Sequence, residues 1–457
     1  MKKITIIILT VLTTLSIYSQ DITGQWHGVL KVQGIQLRIV FNIDQSDSGY
    51  SSTMDSPDQG AKGIPVTTTN FDNSVLLLDI SNAGIQYEGT LKTENAFIGT
   101  FKQGGQSLPL NLTREKPEEK VIRPQEPIKP YPYHSEEITF ENTKDKIVLA
   151  GTLTLPERDG NFPAVILISG SGPQNRDEEL LGHKPFLVLS DYLTRNGIAV
   201  LRFDDRGTAK STGDFNNATT FDFAKDVESA IEYLHKRKEI NKDKIGLIGH
   251  SEGGIIASII ASENKNIDFI VLMAGSTLRG DKLLLLQKYL IETQIGINKQ
   301  LVETNQKIFA GAYEIILDES LENELISDTL SKYFTSKYGQ ALPEKQKTAL
   351  VNQLSTAWMI NIIRLDPAIY LEKISCPILA IVGSKDLQVP SKENLEIIEN
   401  IFAESENTRV KTKELDGLNH LFQECETGMV SEYATIEQTI SPIALKEILN
   451  WINIQVK

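Results

Sequence analysis

Two patterns of hydrophobic positions divide the chain. From residue 21 to about 114, short apolar runs at 34–41, 75–80, 97–101 and 108–112 are separated by clusters of Gly, Asn, Asp and Ser. Spacing of about eight to twelve residues between such turns predicts a β meander closing into a sandwich or small barrel. From about 136 the pattern changes. An opening hairpin is predicted over 138–140 and 147–155, and nearly continuous apolar runs follow at 164–168, 198–203, 244–249, 269–273 and 377–382. Runs of this kind belong to strands buried on both faces, and helical periods between them (184–196, 222–236) predict a mostly parallel α/β sheet. The interval between Met273 and Pro377 has helical periodicity and almost no strand signal, clearest at 283–291, 302–317 and 321–338. A helical insertion there, about 276–372, predicts a cap over the strands' C-terminal edge, where open α/β sheets bind ligands.

Residues 1–20 differ from both patterns. Lys2 and Lys3 precede an apolar run from Ile4 to Ile17, and Tyr18-Ser19-Gln20 leads into polar Asp21. This reads as a secretory signal peptide, too short for a comfortable membrane span, so an exported (periplasmic or extracellular) chain with no stable span after cleavage is expected. Residues 115–135 carry Pro117, Pro124, Pro127, Pro130 and Pro132 among charges and are expected to form a semi-rigid linker. The organisation expected is therefore a signal peptide (1–20), an all-β domain (21–114), a linker (115–135) and a capped α/β domain (136–457).

Charge and composition narrow the function. The formal net charge is -14, which argues against nucleic acid or an anionic membrane as partner, since both need a basic footprint. Hydrophobic residues make up 40% of the 457 residues, enough for large cores without a disulfide framework. Cys376 and Cys425 are expected to be free thiols. They and the scattered His residues have no recognisable metal-ligand spacing, so no metal site is expected.

The chemistry concentrates in the second half. Gly249-His250-Ser251-Glu252-Gly253 matches G-x-S-x-G after an apolar strand and before a small-residue helix. That context makes Ser251 a nucleophile on a tight strand-to-helix turn. A serine needs a base, and His420 is the only His after Ser251. Its orienting acid is expected to be Asp386, on the loop after the strand at 377–382, with Asp416 the competitor. An oxyanion hole needs two backbone donors: the N–H of Glu252 and one from the loop Ser169-Gly170-Ser171-Gly172, where Ser171 is favoured over Gly172. Asp204-Asp205-Arg206-Gly207 is expected to be structural, with Arg206 paired to carboxylates. Arg176, Asp177 and Glu178 read as a solvated charge run near the cavity entrance.

Residues 136–457 resemble the secreted bacterial α/β-hydrolase esterases that carry the serine aminopeptidase-like hydrolase profile. The matching stretches are 169–178, 206–207, 249–253, 366–367, 376–380, 385–390 and 417–423. The resemblance implies a carboxylesterase acting on small-molecule short-acyl esters without metal or organic cofactor. In that family the oxyanion loop usually begins His-Gly, and Ser169 stands at the His position, which implies a different hydrogen bond behind the loop. An aminopeptidase-like serine peptidase with the same triad is one alternative. A carbohydrate- or lipid-binding protein with a degenerate hydrolase is another.

Overall fold

The computed structural model describes residues 21–32, 35–46, 49–57, 61–103, 106–116 and 123–457. The expected signal peptide lies outside these residues, as does part of the expected linker. The chain forms two compact units, 1–120 and 121–457.

The first unit is one antiparallel sheet of ten strands. The strands Ala61–Pro65 and Thr68–Asp72 lie at opposite ends of the pairing order, yet only two residues separate them in the chain. The sheet must therefore curl until its edges meet. Val66 N–H donates to Ser52 O at 3.0 Å and Thr67 N–H to Asp79 O at 2.7 Å, which extends each edge pairing into the connection, and the Ser52 and Thr69 hydroxyls, 2.6 Å apart, bond one edge to the other. Alternate side chains fill the concave side, among them Trp26, Phe41, Tyr87, Phe97 and Phe101, all buried. Period-two alternation with one covered face produces this arrangement, and it favours the barrel over the sandwich.

The second unit holds an eight-stranded sheet flanked by helices. The hairpin His134–Asn142 with Ile147–Leu155 pairs antiparallel to Ala199–Phe203. From there Phe162–Ile168, Ile240–His250, Phe269–Met273, Ile378–Gly383 and Val410–Leu415 continue in parallel. This is the α/β-hydrolase fold. The apolar runs of the sequence are the central strands: every residue of Phe269–Met273 and Ile378–Gly383 is buried. Two cores result, one on each face of the sheet. The helix Glu252–Glu263 packs against one face and is almost entirely buried.

Among the described residues, six helices lie between the strands Phe269–Met273 and Ile378–Gly383, from Gly280–Gln294 to Ala368–Leu371. Three match the sequence expectation. Glu344–Leu354 and Ala357–Arg364 fall inside the expected helical insertion without being among its clearest stretches, because each spans only two or three turns. The cap has a core of its own around Ile326, Leu330 and Phe334.

The stretch expected as a spacer is bound to the second unit from Arg123 onward. The Arg123 guanidinium donates to the carbonyls of Gly182 (3.1 Å), Leu181 (3.2 Å) and Ala434 (3.0 Å), and the Gln125 amide donates to Ile440 O at 2.7 Å. Prolines restrict this segment's backbone, which opens on a turn with Glu126 N–H donating to Arg123 O at 3.0 Å, while its polar side chains satisfy loop carbonyls that helices and strands leave over. Both cysteines are free thiols and half-buried, and burial pushes the Cys376 thiol up to about 12. Among the described residues no helix is long and apolar enough to cross a membrane.

Candidate active site

The turn at Ser251 follows from its glycines. A Cβ on Gly249 would sit 2.0 Å from Gly253 O, and one on Gly253 would sit 2.1 Å from Ile168 O. Only glycine allows the strand Ile240–His250 to turn this sharply into the helix that begins at Glu252. Ser251 itself adopts φ 52° and ψ -117°. A non-glycine residue held in this region stores strain of about 1–3 kcal/mol, and such strain persists where surrounding structure imposes it. The hydroxyl is thereby presented at the mouth of a cavity, at the N-terminal end of a helix whose dipole favours negative charge.

The cavity measures about 240 Å³. Ser251, His420, Glu252 and Ser171 line it together, as do Leu283, Leu284, Trp358 and Ile362 from the cap. Asp386 sits behind His420, fully buried: its Oδ2 accepts from His420 Nδ1 at 2.7 Å, while its Oδ1 accepts the N–H groups of Gln388 and Val389, both at 2.8 Å. With a carboxylate against Nδ1, the proton resides there and His420 Nε2 is left as an acceptor. Asp416, the competitor, is exposed and accepts from the Ser384 hydroxyl at 3.1 Å. The structure thus brings Asp386, not Asp416, to His420.

The loop expected to supply an oxyanion donor, Ser169 to Gly172, is held by two carboxyl groups. A Cβ on Gly170 would come within 3.2 Å of Ser251 Cβ, so this loop passes directly over Ser251. The Ser169 hydroxyl donates to Asp205 Oδ1 at 2.7 Å, and the Gln174 N–H to Asp205 Oδ2 at 2.8 Å. This is the substitute for the family's His-Gly support. Gly170 N–H donates to Glu178 Oε1 at 2.8 Å.

The expected solvated run 176–178 is engaged in ion pairs instead, with Arg176 and Asp177 half-buried and Glu178 buried. Arg176 clasps Asp204 through Nε (3.0 Å) and Nη2 (2.8 Å), Asp177 pairs with buried Arg202, and Glu178 turns inward against His250. Each charge finds a partner distant in sequence, which no local pattern records. Arg206 follows the structural expectation, pairing with Asp226 (2.7 Å) and Asp145 (2.8 Å).

Two buried carboxyls next to Ser251 and its neighbouring loop, Glu252 and Asp205, are shifted upward. Burial raises Glu252, against hydrogen bonds from Thr220, Trp358 and Ser171 that favour its ionised form. Trp358 Nε1 donates to the Glu252 carboxyl at 3.0 Å, so the cap is tied to the residue after the nucleophile. Burial also pushes Asp205 up to about 8, opposed by the Ser169 and Gln174 hydrogen bonds and helped by the charges of Glu178 and Glu252. The folded chain then keeps a proton on Asp205 that the unfolded chain releases near 3.8. Across that window the folded state binds more protons, so this group's contribution to stability is full below pH 3.8 and is lost as pH rises towards 8. Asp205→Asn keeps one acceptor for the Gln174 N–H and offers a donor to the Ser169 oxygen. The variant's Tm is expected to fall less than wild type between pH 5 and pH 8, by on the order of a few degrees in thermal melts. Parallel Tm curves would contradict the assignment.

Comparison with known proteins places this geometry. The model of the family described as "Serine aminopeptidase, S33" matches residues 185–426, more than half of the chain. Esterase EstD of Thermotoga maritima is 27% identical over 274 residues, covering 60% of this chain and 58% of that protein, so the match spans little more than half of that relative's length. An uncharacterized 31.7 kDa protein of Escherichia coli is 22% identical over 258 residues, covering 54% of this chain and 80% of its own length. Among solved structures, a Pyrococcus furiosus esterase, Pf2001, covers 71% of this chain and 92% of its own at 18% identity and a TM-score of 0.45.

Proposed function

The chain belongs to the serine aminopeptidase (S33) family of α/β-hydrolases, and from that premise we propose that it is an exported serine esterase cleaving short-acyl carboxylic esters. The observation that carries this reading is the convergence of a strained Ser251 and an Asp386-held His420 on one apolar cavity.

In the proposed reaction Ser251 Oγ attacks the ester carbonyl carbon while His420 Nε2 takes its proton. The Glu252 and Ser171 amides stabilise the oxyanion of the tetrahedral intermediate. Collapse expels the alcohol, which takes the proton from His420 and leaves the acyl group on Ser251. Water then attacks the acyl-enzyme with His420 again as base, releasing the acid and restoring the serine. Asp386 holds the imidazole tautomer throughout.

Two features favour an ester over a peptide with a free α-amine. The cavity wall includes six Leu, two Ile and the Trp358 side chain, and its volume of about 240 Å³ is below the roughly 300–1,000 Å³ of sites for larger ligands. A free ammonium group needs an unengaged carboxylate. The two carboxyls lining the cavity are already engaged, Glu178 by His250 and Gly170, and Glu252 by Thr220 and Trp358. The test is a p-nitrophenyl ester series run beside aminoacyl-p-nitroanilides. Turnover of acetyl to butyryl esters at least about tenfold above longer chains, with anilides inert, is the expected result. Preferred cleavage of anilides would replace the esterase reading with a peptidase one.

A further inference from the structure

His250 precedes the nucleophile, and the proposed reaction gives it no part. Its imidazole is buried and both ring nitrogens face oxygen acceptors: Nδ1 lies 2.8 Å from Glu178 Oε1, and Nε2 lies 2.9 Å from the backbone carbonyl of His420. Glu178 Oε1 also accepts Gly170 N–H at 2.8 Å, and Glu178 is itself buried. One chain of hydrogen bonds therefore runs from the oxyanion loop through Glu178 and His250 to the loop that carries His420. The two rings are close, with centroids 4.8 Å apart.

We propose that His250 and Glu178 are positioning residues, a buried pair that locks the oxyanion loop and the His420 loop into one register around Ser251. The pair touches no substrate atom in the proposed reaction; it acts through Gly170, whose neighbour Ser171 supplies an oxyanion donor, and through the main chain of His420. A donor at each nitrogen satisfies both acceptors, and a carboxylate beside the ring makes the doubly protonated imidazole the natural form. Burial disfavours that charge, but Glu178 and the His420 carbonyl more than offset it, and the His250 pKa is raised. Neither loop is held to the other by regular secondary structure, since Ser169 to Gln174 and His420 lie outside helices and strands. Loss of the clamp leaves each loop folded while its atoms drift by fractions of an ångström, and a displacement near 1 Å costs about 100-fold in rate.

This inference rests on the Ser251 acyl-transfer reading, and the test separates the two. Four forms are compared on a p-nitrophenyl ester at a temperature well below each Tm: wild type, His250→Phe, Glu178→Ala and the double variant, with Ser251→Ala as control. Each single variant is expected to lower kcat by roughly 10- to 100-fold with KM within about threefold, and to slow inactivation by diethyl p-nitrophenyl phosphate in proportion. The double variant is expected to lose no more than the worse single one, since a clamp broken once is broken. Glu178→Gln, whose amide oxygen still accepts from Gly170 and His250 but carries no charge, is expected to fall between Glu178→Ala and wild type. If His250→Phe does not fold, His250→Gln carries the same comparison. Single variants within threefold of wild-type kcat, or losses that simply multiply in the double variant, would overturn the clamp while leaving the reaction intact. Wild-type turnover that survives Ser251→Ala would overturn the reaction, and the clamp with it.

Discussion

Ser251→Ala is expected to lower kcat on a cleaved ester by about 10⁴- to 10⁶-fold while KM stays within a few-fold. In the proposed reaction the side chain lost is the one that forms the covalent bond, and members of a nucleophile–base pair act as a unit, so His420→Ala should fall into the same range. Binding is expected to survive because the apolar walls from the cap and from Ile255 are untouched. Stability is expected to change little. The Ser251 side chain caps no backbone group, and alanine meets the same backbone strain at φ 52°. The residual rate measures what the cavity and the oxyanion donors achieve alone. Steady-state kinetics with purified variants checks it, and a loss below about 100-fold would mean that another group attacks.

The second large effect separates two aspartates. Asp386→Asn is expected to lower kcat by about 10⁴-fold, and Asp416→Asn to leave it within a few-fold. The reason is the hydrogen-bond pattern around Asp386. Its Oδ1 accepts two backbone N–H groups, from Gln388 and Val389. An asparagine keeps its carbonyl oxygen there and so turns its NH₂ towards His420 Nδ1. That forces the proton onto Nε2, the position from which Ser251 must be deprotonated. The imidazole stays in place in the wrong tautomer. Asp416 lies on the surface against Ser384, and its charge has no such route to the ring. Equal losses from the two substitutions would overturn the assignment of Asp386.

These residues were legible in the sequence because their chemistry imposes local signatures. Ser251 needs glycines at fixed offsets, His420 is the only His after it, and Asp386 follows an unmistakably apolar strand. The same holds for the central sheet: strands buried on both faces must be apolar throughout, and 164–168, 269–273 and 377–382 are. The residues behind the site left no such mark. Arg176, Asp177 and Glu178 look like a solvated run because three adjacent charges carry no period, and their partners Asp204, Arg202 and His250 are brought near only by the folded sheet. The departure at Ser169 did signal that the loop must be supported differently. The supporting group, Asp205, was in view only as part of a motif read as structural. The segment from Arg123 illustrates the same limit: its prolines restrict the backbone, while the loop carbonyls that it satisfies lie up to 315 residues away.

The account stands on a covalent bond to one oxygen atom. The most direct test is to treat the protein with diethyl p-nitrophenyl phosphate and map the adduct by peptide mass spectrometry, in wild type, Ser251→Ala and His420→Ala. The account predicts one diethylphosphoryl group on the peptide containing Ser251, none in Ser251→Ala, and labelling at least about 100-fold slower in His420→Ala. An active wild type that labels at another residue, or labelling at Ser251 that is indifferent to His420, would contradict it.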